Sequence, residues 1–488
     1  MITIGIDVGT SGVKMLAMDE KGQVLKIVTR EYPLYQSGND SEQEPDDWWT
    51  QTADGLKEMT ASIGNVAAVS FSGQMHGLVV LDEHDNVLRR AMLWNDQRTT
   101  AQCDYLNNEI GRDKLLEHTA NIALTGFTLP KILWMKAHEP ELFARITKIM
   151  LPKDYIAYKL SGQFATDESD ASGTLLLDVR KRVWSPFMME AAGLRECQLP
   201  KLYPSSAAIG TVTAQSAKET GLSEKTTVVI GGGDQAVGAV GTGTVSGGMC
   251  SLSLGTSGVV FVAGDQFAVD RSPSAVHSFC HANGRYHMMG VTLGAAASTK
   301  WWIEDVLGTS NYSGEQAAIK PSNLGNNTVY YLPYLSGERT PINDPFARGA
   351  FIGMAAYTSR SDMTQAVLEG VAFSLRDNLE AIKTMGVSAS SARIIGGGAK
   401  SPLWCQIMAN VLNLRVDKIN SDEGPALGAA ILAAVGAGAF PTVEEACGKL
   451  ISVTQSFEPD PEAAARYNVK YPIYNTLYKD LADTFAKL

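Results

Sequence analysis

The sequence predicts an α/β protein made of two related lobes with a nucleotide cleft between them. Three observations lead there. The pentapeptide Gly-Thr-Ser-Gly-Val occurs at Gly9–Val13 and again at Gly255–Val259, once in each half of the 488-residue chain. A β-branched run ending in three glycines also occurs twice, at Val228–Gly233 and Arg393–Gly398, later in each half and in the same order. A chain this long exceeds what one hydrophobic core organises and suits two lobes of ordinary size.

Taken in order, Ile2–Ile6 is an apolar run with strand character, Gly9–Gly12 a tight turn, and Val13–Ala17 a second strand. Such a turn points backbone N–H groups into a concavity suited to phosphate. Asp19-Glu20-Lys21-Gly22 reads as a hairpin turn into a third strand, Val24–Val28. A helix is expected from Pro45, capped by Asp46 or Asp47, with Trp49, Ala53, Leu56, Thr60 and Ile63 near one face and Gly64 ending it. Val66–Phe71 is a buried-type strand leading into Ser72–Gly77. Leu78–Leu81, a turn at Asp82–Asn86 and Val87–Trp94 suggest another hairpin. The interval between the paired motifs is longer in the first half (Gly9 to Gly231) than in the second (Gly255 to Gly396), so an insertion is expected between Trp94 and Gly210. Gly241–Gly248 marks the lobe boundary, giving lobes of residues 1–246 and 247–488. In the second half Cys250–Leu254, Gly255–Gly258 and Val259–Val262 repeat the strand, turn, strand sequence. Ala426–Phe440, with Gly428, Gly436 and Gly438, is too short to span a bilayer and reads as a buried helix packed closely through small residues. Past Pro441 the chain is polar and helical in character.

Composition narrows the function classes. Hydrophobic residues make up 45% and charged residues 19%, as expected of a globular protein with ample core. A net charge of −11, with no basic run, argues against nucleic-acid binding. The six cysteines are scattered with no Cys-x-x-Cys pair, so free thiols are expected. The N-terminus enters a strand at once without a signal-peptide pattern, and no segment reads as a membrane anchor, so the expected setting is cytoplasmic.

The paired motifs differ where chemistry would need them to. Asp7 precedes the first pentapeptide where the second has Ser253, and Asp234 follows the first triple glycine where the second has Ala399. Both carboxylates belong to the first half. If the halves close on a nucleotide, the first half supplies acidic chemistry and the second mainly holds phosphate and base.

Further motifs stand in order along nearly the whole chain: Ile4–Gly12, Gly73-Gln74-Met75-His76-Gly77, Leu93–Arg98, Leu151-Pro152-Lys153-Asp154-Tyr155, Gly231–Asp234, Leu252–Gly258, Leu332–Pro341, and Gly396–Ala399 with Trp404. In this ordered set the chain resembles the FGGY family of carbohydrate kinases, within the actin/hexokinase-like (ribonuclease H-like) superfamily. Met75-His76 and Ala275–Ala282 are similar to the branch of that family acting on D-xylulose, whereas glycerol kinases carry an Arg-Glu pair in place of Met75-His76. Gln235 departs from the Asn found in many of these kinases, and Asn410 from an Asp.

The resemblance implies phosphorylation of D-xylulose to D-xylulose 5-phosphate, with ATP and Mg2+. Asp234 is then the catalytic base, and Asp7 the acidic residue at the metal, directly or through water. Met75 and His76 are the expected sugar contacts, with Asp96 and Arg98 either joining them or forming an internal ion pair. Thr10, Ser11, Gly12, Gly255, Thr256 and Ser257 would surround the phosphates, and Gly397, Gly398 and Ala399 would lie against the adenosine. His277 and His281 read as core or surface residues. Family members often form homodimers. The alternatives are a kinase for another ketose, polyol or aldonate, and a non-kinase ATPase of the actin or heat-shock chaperone type. No Gly-x-x-x-x-Gly-Lys-Ser/Thr loop is present, so the phosphates would be held without one.

Overall fold

The computed structural model describes residues 1–488. The apolar strands and glycine turns build two seven-stranded sheets on one plan. In the first, strands β1 (Ile2–Val8), β2 (Gly12–Asp19) and β3 (Val24–Glu31) form an antiparallel meander. After helix α1 (Pro45–Thr60), strands β4 (Val66–Gly73) and β5 (Thr227–Val229) extend the sheet in parallel on the other side of β1. The order is β5-β4-β1-β2-β3, and helix α2 (Asp234–Gly241) follows. The second sheet repeats this with β6 (Met249–Leu254), β7 (Gly258–Gly264), β8 (Tyr286–Thr292), helix α3 (Arg360–Thr384), β9 (Ser391–Ile395) and β10 (Arg415–Ile419), in the order β10-β9-β6-β7-β8. Helix α4 (Gly424–Gly436) follows β10. The duplicated α/β architecture expected from the sequence is the one observed.

The topology corrects one part of that expectation. The triple glycine at Gly231–Gly233 follows the fifth strand of its sheet, whereas Gly396–Gly398 follows the fourth strand of the other. They are not equivalent stations. The counterpart of Gly396–Ala399 is Gln74–Gly77, and the counterpart of Asp234 lies at the start of α4. Both glycine runs end a β-branched strand, so local sequence looks alike; the position of a strand within its sheet is a tertiary property. The insertion of the first lobe accordingly lies between β4 and β5.

Other local expectations divide in an instructive way. The glycine turns form as read: the Gly9 N–H donates to the Gly12 carbonyl at 3.0 Å. A Cβ on Gly12 would lie 2.4 Å from the Arg30 carbonyl oxygen, so β3 leaves room only for glycine there. Helix α1 begins at Pro45, but its N-cap is Glu44 instead of Asp46 or Asp47, which sit in the first turn and favour the helix dipole. It ends at Thr60, and its buried face is Trp48, Trp49, Thr52, Ala53, Leu56 and Met59. The hairpin expected over Leu78–Trp94 forms, with antiparallel bridges Leu81–Val87 and Leu78–Met92 and the Asp82 N–H donating to the Asn86 carbonyl at 3.1 Å, and each arm also pairs at longer range. Val79–Leu81 pairs with Lys148–Met150 and Ala91–Met92 with Asp40–Gln43. These short strands are buried, so each gains a distant partner in addition to the local one. Beyond Pro441, helices Val443–Leu450 and Pro461–Phe485 flank the strand Val453–Phe457, which closes the second sheet beside β10. All six cysteines are free. No helix is long and apolar enough to cross a membrane.

Helix α4 is the buried small-residue helix that the sequence predicts, and its location joins the halves. It belongs to the second half in chain order but packs on β1 and β4 of the first sheet and against α2. Small residues allow the backbones to touch. A Cβ on Gly5 would fall 1.9 Å from the Ala426 carbonyl oxygen, and one on Gly428 1.9 Å from that of Val237. Leu16, Met18, Val237, Leu427 and Ile431 share this cluster.

Candidate functional site between the lobes

The cleft is assembled at the ends of the central strands, where loops from both lobes meet. Asp7, near the end of β1, pairs in register with Lys14 of β2 and Ser72 of β4. One of its carboxylate oxygens, Oδ1, is buried and has no hydrogen-bond partner. Burial raises its pKa, opposed by hydrogen bonding from Ser72 and by the Lys14 charge. Asp234 opens α2. Its pKa is raised to about 7 by burial and by the charge of Asp7, opposed by hydrogen bonds from Gln235. The two carboxylates therefore sense each other in one cleft, and Asp234 is poised to take a proton near neutral pH.

Asp234 forms one wall of a cavity of about 180 Å³ that draws residues from both lobes. Met75, His76, Trp94, Phe127 and Gln235 come from the first; Ser257, His277, Met289 and Arg339 from the second. His76 is held at φ +69°, a conformation rare for a side-chain-bearing residue. Its carbonyl accepts hydrogen bonds from Lys131 Nζ at 2.9 Å and Thr128 Oγ1 at 3.1 Å, which fix this backbone. His76 Nδ1 lies 2.8 Å from the Gly173 carbonyl oxygen, so Nδ1 carries the proton and Nε2 is an acceptor. Burial keeps the ring neutral by lowering its pKa well below the usual histidine range. Gly173 has no alternative, since a Cβ would meet the His76 ring at 2.3 Å. Met75 packs against Gly233, where a Cβ would come 2.9 Å from its Cγ. The loop carrying Met75 and His76 thus fits directly onto the segment entering Asp234.

That segment has its own support. The Gly233 N–H donates to Ser169 Oγ at 3.2 Å, and Ser169 Oγ donates to Asp167 at 2.6 Å. Asp167 in turn contacts the fully buried Lys153 at 3.0 Å, and Lys153 meets Asp154 at 2.6 Å. The Leu151–Tyr155 motif therefore contributes a buried charged cluster beneath the segment that enters Asp234.

The phosphate-type turns flank the cavity. Trp94 Nε1 donates to Thr10 Oγ1 at 3.0 Å, tying the first turn to the cavity wall. The Thr10 carbonyl accepts from Gln43 Nε2 at 2.7 Å. In the second turn, the Gly255 and Thr256 carbonyls accept from the Ala295, Ala296 and Ala297 N–H groups, while Ser257 faces the cavity. Gly396, at φ +93°, runs so close to this turn that a Cβ would sit 2.7 Å from the Leu254 carbonyl oxygen. Next to it opens a cavity of about 900 Å³ lined by Gly397, Gly398, Tyr312, Gln316 and Trp404.

Not every predicted residue reaches the cleft. Ala399 is buried in the second core behind Gly398 and does not line the large cavity. Asp96 is fully buried and paired with Arg98 at 2.7 Å; it also accepts from the Ser41 N–H at 2.8 Å. Arg98 further contacts Glu42 at 2.7 Å. Of the two readings of Asp96 and Arg98, the ion pair is the one formed. Conversely, His277 lines the small cavity and is held neutral, its pKa lowered to about 3 by burial and Arg339. His281 does not; its Nε2 lies 2.9 Å from the Thr244 carbonyl oxygen. Trp94, His277 and Arg339 sit in motifs noted in the sequence, yet only the meeting of distant elements reveals their common cavity.

Two successive domain profiles, described as the N-terminal and C-terminal domains of the FGGY family of carbohydrate kinases, match residues 2–241 and 250–437. The chain belongs to the FGGY family. It is accordingly an ATP-dependent sugar kinase, and its two-lobe fold is that of the family's solved structures. It is 41% identical to the xylulose kinase of Escherichia coli (strain K12), over 99% of this chain and 100% of the relative. It is 40% identical to that of Bacillus subtilis (strain 168), over 98% and 97%. Among solved structures it is similar to a xyloylose kinase from Brucella ovis, with TM-score 0.93 and 37% identity over 99% and 100% of the chains. It is also similar to a gluconate kinase from Lactobacillus acidophilus, with TM-score 0.94 and 26% identity over 100% and 99%.

Proposed function

We propose that this FGGY kinase transfers the γ-phosphoryl group of ATP to the 5-hydroxyl of D-xylulose, giving D-xylulose 5-phosphate. The observation that carries this reading is Asp234, a carboxylate with pKa about 7 in the wall of a small cavity beside both glycine turns. The sugar hydroxyl oxygen bonds to the γ-phosphorus as the bond to the ADP oxygen breaks, and the hydroxyl proton passes to Asp234. In a loose transition state this transfer is late, so Asp234 first orients the hydroxyl. Met75 shapes the cavity, and His76 Nε2 accepts from a sugar hydroxyl. Identity of 38–41% to several curated xylulose kinases supports D-xylulose over other sugars.

Thr10, Ser11 and Gly12 in one lobe, with Gly255, Thr256 and Ser257 in the other, would hold the phosphates, and Gly397 and Gly398 the adenosine. We draw the lobes as residues 1–246 and 247–488, with the cleft between them. The unpartnered Oδ1 of Asp7 fits a site for Mg2+, held directly or through water, which when bound neutralises phosphate charge. The reading also places the enzyme in the cytoplasm, beside its ATP.

The deciding experiment is ATP-coupled turnover on D-xylulose, other pentuloses, polyols and gluconate, with Asp234→Ala as control. D-Xylulose is expected to give the highest kcat/KM, and the variant to bind sugar without turnover. A tenfold preference for another substrate overturns the sugar assignment.

A further inference from the structure

Fourteen residues line the small cavity, and only Asp234 and Arg339 among them carry an ionisable acid or a permanent charge. The two are delivered by different lobes. Asp234 begins α2 of the first, whereas Arg339 follows Glu338, whose buried carboxylate accepts from the Leu293 N–H at 2.9 Å and the Arg339 N–H at 2.7 Å at the end of β8. Glu338 is thus occupied with backbone and hydroxyl donors, including Thr292 Oγ1, and forms no salt bridge with the Arg339 side chain.

Arg339 also stands apart from Asp234 electrostatically. Its charge acts on His76 and His277, whereas the charge acting on Asp234 is that of Asp7. The cavity therefore has an acidic end, where the hydroxyl is activated, and a cationic end. At that cationic end the two histidines are neutral. The Arg339 guanidinium makes no salt bridge; burial lowers its pKa, and only the charge of Glu338 opposes this. A half-buried cation with no contact partner in a ligand cavity is a ready site for acceptors supplied by a ligand. Its forked donors suit a carboxylate above a carbonyl, and a carbonyl above a hydroxyl.

We propose that Arg339 forms an acceptor subsite for the end of an acyclic sugar remote from the transferred phosphoryl group, and that this subsite binds five-carbon sugar acids through their carboxylate. The inference rests on the cavity being the sugar site. For D-xylulose the subsite receives the C2 carbonyl when O5 is at Asp234. A sugar acid of equal length places its C1 carboxylate one carbon beyond that carbonyl, where the ketose carries its C1 hydroxymethyl group, and so offers charged acceptors to the same forked donors.

Calorimetric titration of the native protein with D-xylonate and with xylitol, which match in length and differ in the terminal group, tests this without any turnover. D-Xylonate should bind roughly tenfold or more tightly than xylitol, as a charge-assisted pair requires, and D-xylulose should displace it. Arg339→Met should abolish the preference and Arg339→Lys retain part of it. With D-xylulose as substrate, Arg339→Met should raise the sugar KM by more than it lowers kcat, leaving the ATP KM unchanged. Equal binding of the two probes by the native protein overturns the proposal whether or not the variants fold. So does a rise confined to the ATP KM. Because the binding arm needs no phosphorylation, its failure is distinct from failure of the xylulose assignment, which turnover on the sugar panel reads.

Discussion

After β4 the chain enters Gln74–Gly77, whereas at the same station of the second sheet, after β9, it enters Gly396–Ala399. The first loop presents Met75 and His76 to the small cavity; the second presents Gly397 and Gly398, with no side chains, to the large one. The neighbouring stations diverge in the same sense. β1 carries Asp7 where β6 carries Ser253, and the helix after the fifth strand opens with Asp234 in one lobe and with Glu423-Gly424 in the other. One duplicated scaffold has thus been differentiated: bulky side chains and the acids Asp7 and Asp234 stand at these stations of the first lobe, Ser253 and bare glycine backbone at those of the second. Side chains specify chemistry, and their removal makes room.

The largest effect should come from exchanging the acids. Asp234→Asn is expected to lower kcat roughly 10²–10⁴-fold while leaving sugar binding within a few-fold, measured by steady-state kinetics and calorimetry. Near-normal turnover would break the division of labour outright. In the unaltered enzyme kcat/KM should rise with pH through about 7 as Asp234 ionises, and a flat profile between pH 6 and 8 would count against it. The same shift has a stability consequence. Asp234 has a folded pKa above its unfolded value near 3.9, so the folded state binds more protons between about pH 4 and 7, and stability falls as pH rises through that window. Asp234→Asn should therefore melt at a higher temperature than the parent at pH 8, with little difference at pH 4.

The next comparison sets Asp7→Asn against Ser253→Ala. The first should cost roughly 10²-fold or more in kcat and shift the Mg2+ dependence to higher concentration, the second less than threefold. Equal losses would mean that the lobes share the acidic work. A stability pair follows. Gly5→Ala drives a Cβ into the backbone of α4 and should destabilise by several kcal/mol, read as a lower Tm. Ser251→Ala, at the equivalent station in β6, already has room for a side chain and should change stability by less than about 1 kcal/mol. Smallest of all, Trp94→Phe removes the hydrogen bond to Thr10 and keeps the ring, so a few-fold rise in the ATP KM is expected.

Much of this was legible in the sequence, for reasons tied to particular residues. The two Gly-Thr-Ser-Gly-Val turns were readable because a strand–turn–strand unit is local and glycine is required where backbone approaches backbone, as at Gly12. Asp7 and Asp234 stood out because one copy of each motif had them. That the triple glycines are not equivalent was not legible, since fourth and fifth strands look alike until they take places in a sheet. Asp96 and Arg98 could be assigned to an ion pair only once Glu42 and the Ser41 N–H had been brought beside them. His277 and Arg339 reach the cavity from the opposite lobe, with Phe127 and His76 as neighbours that no sequence spacing discloses.

Helix α4 carries a consequence for how the molecule comes into being. One face of the first sheet, along β1 and β4, is covered by residues 424–436. During synthesis that face waits, apolar and bare, until almost nine-tenths of the polypeptide has left the ribosome. The amino-terminal half is thus a late-maturing unit, finished by a piece of chain made near the end. A stalled or truncated product ending before Gly424 would expose the surface around Leu16, Met18 and Val237, and would be a natural client for chaperones.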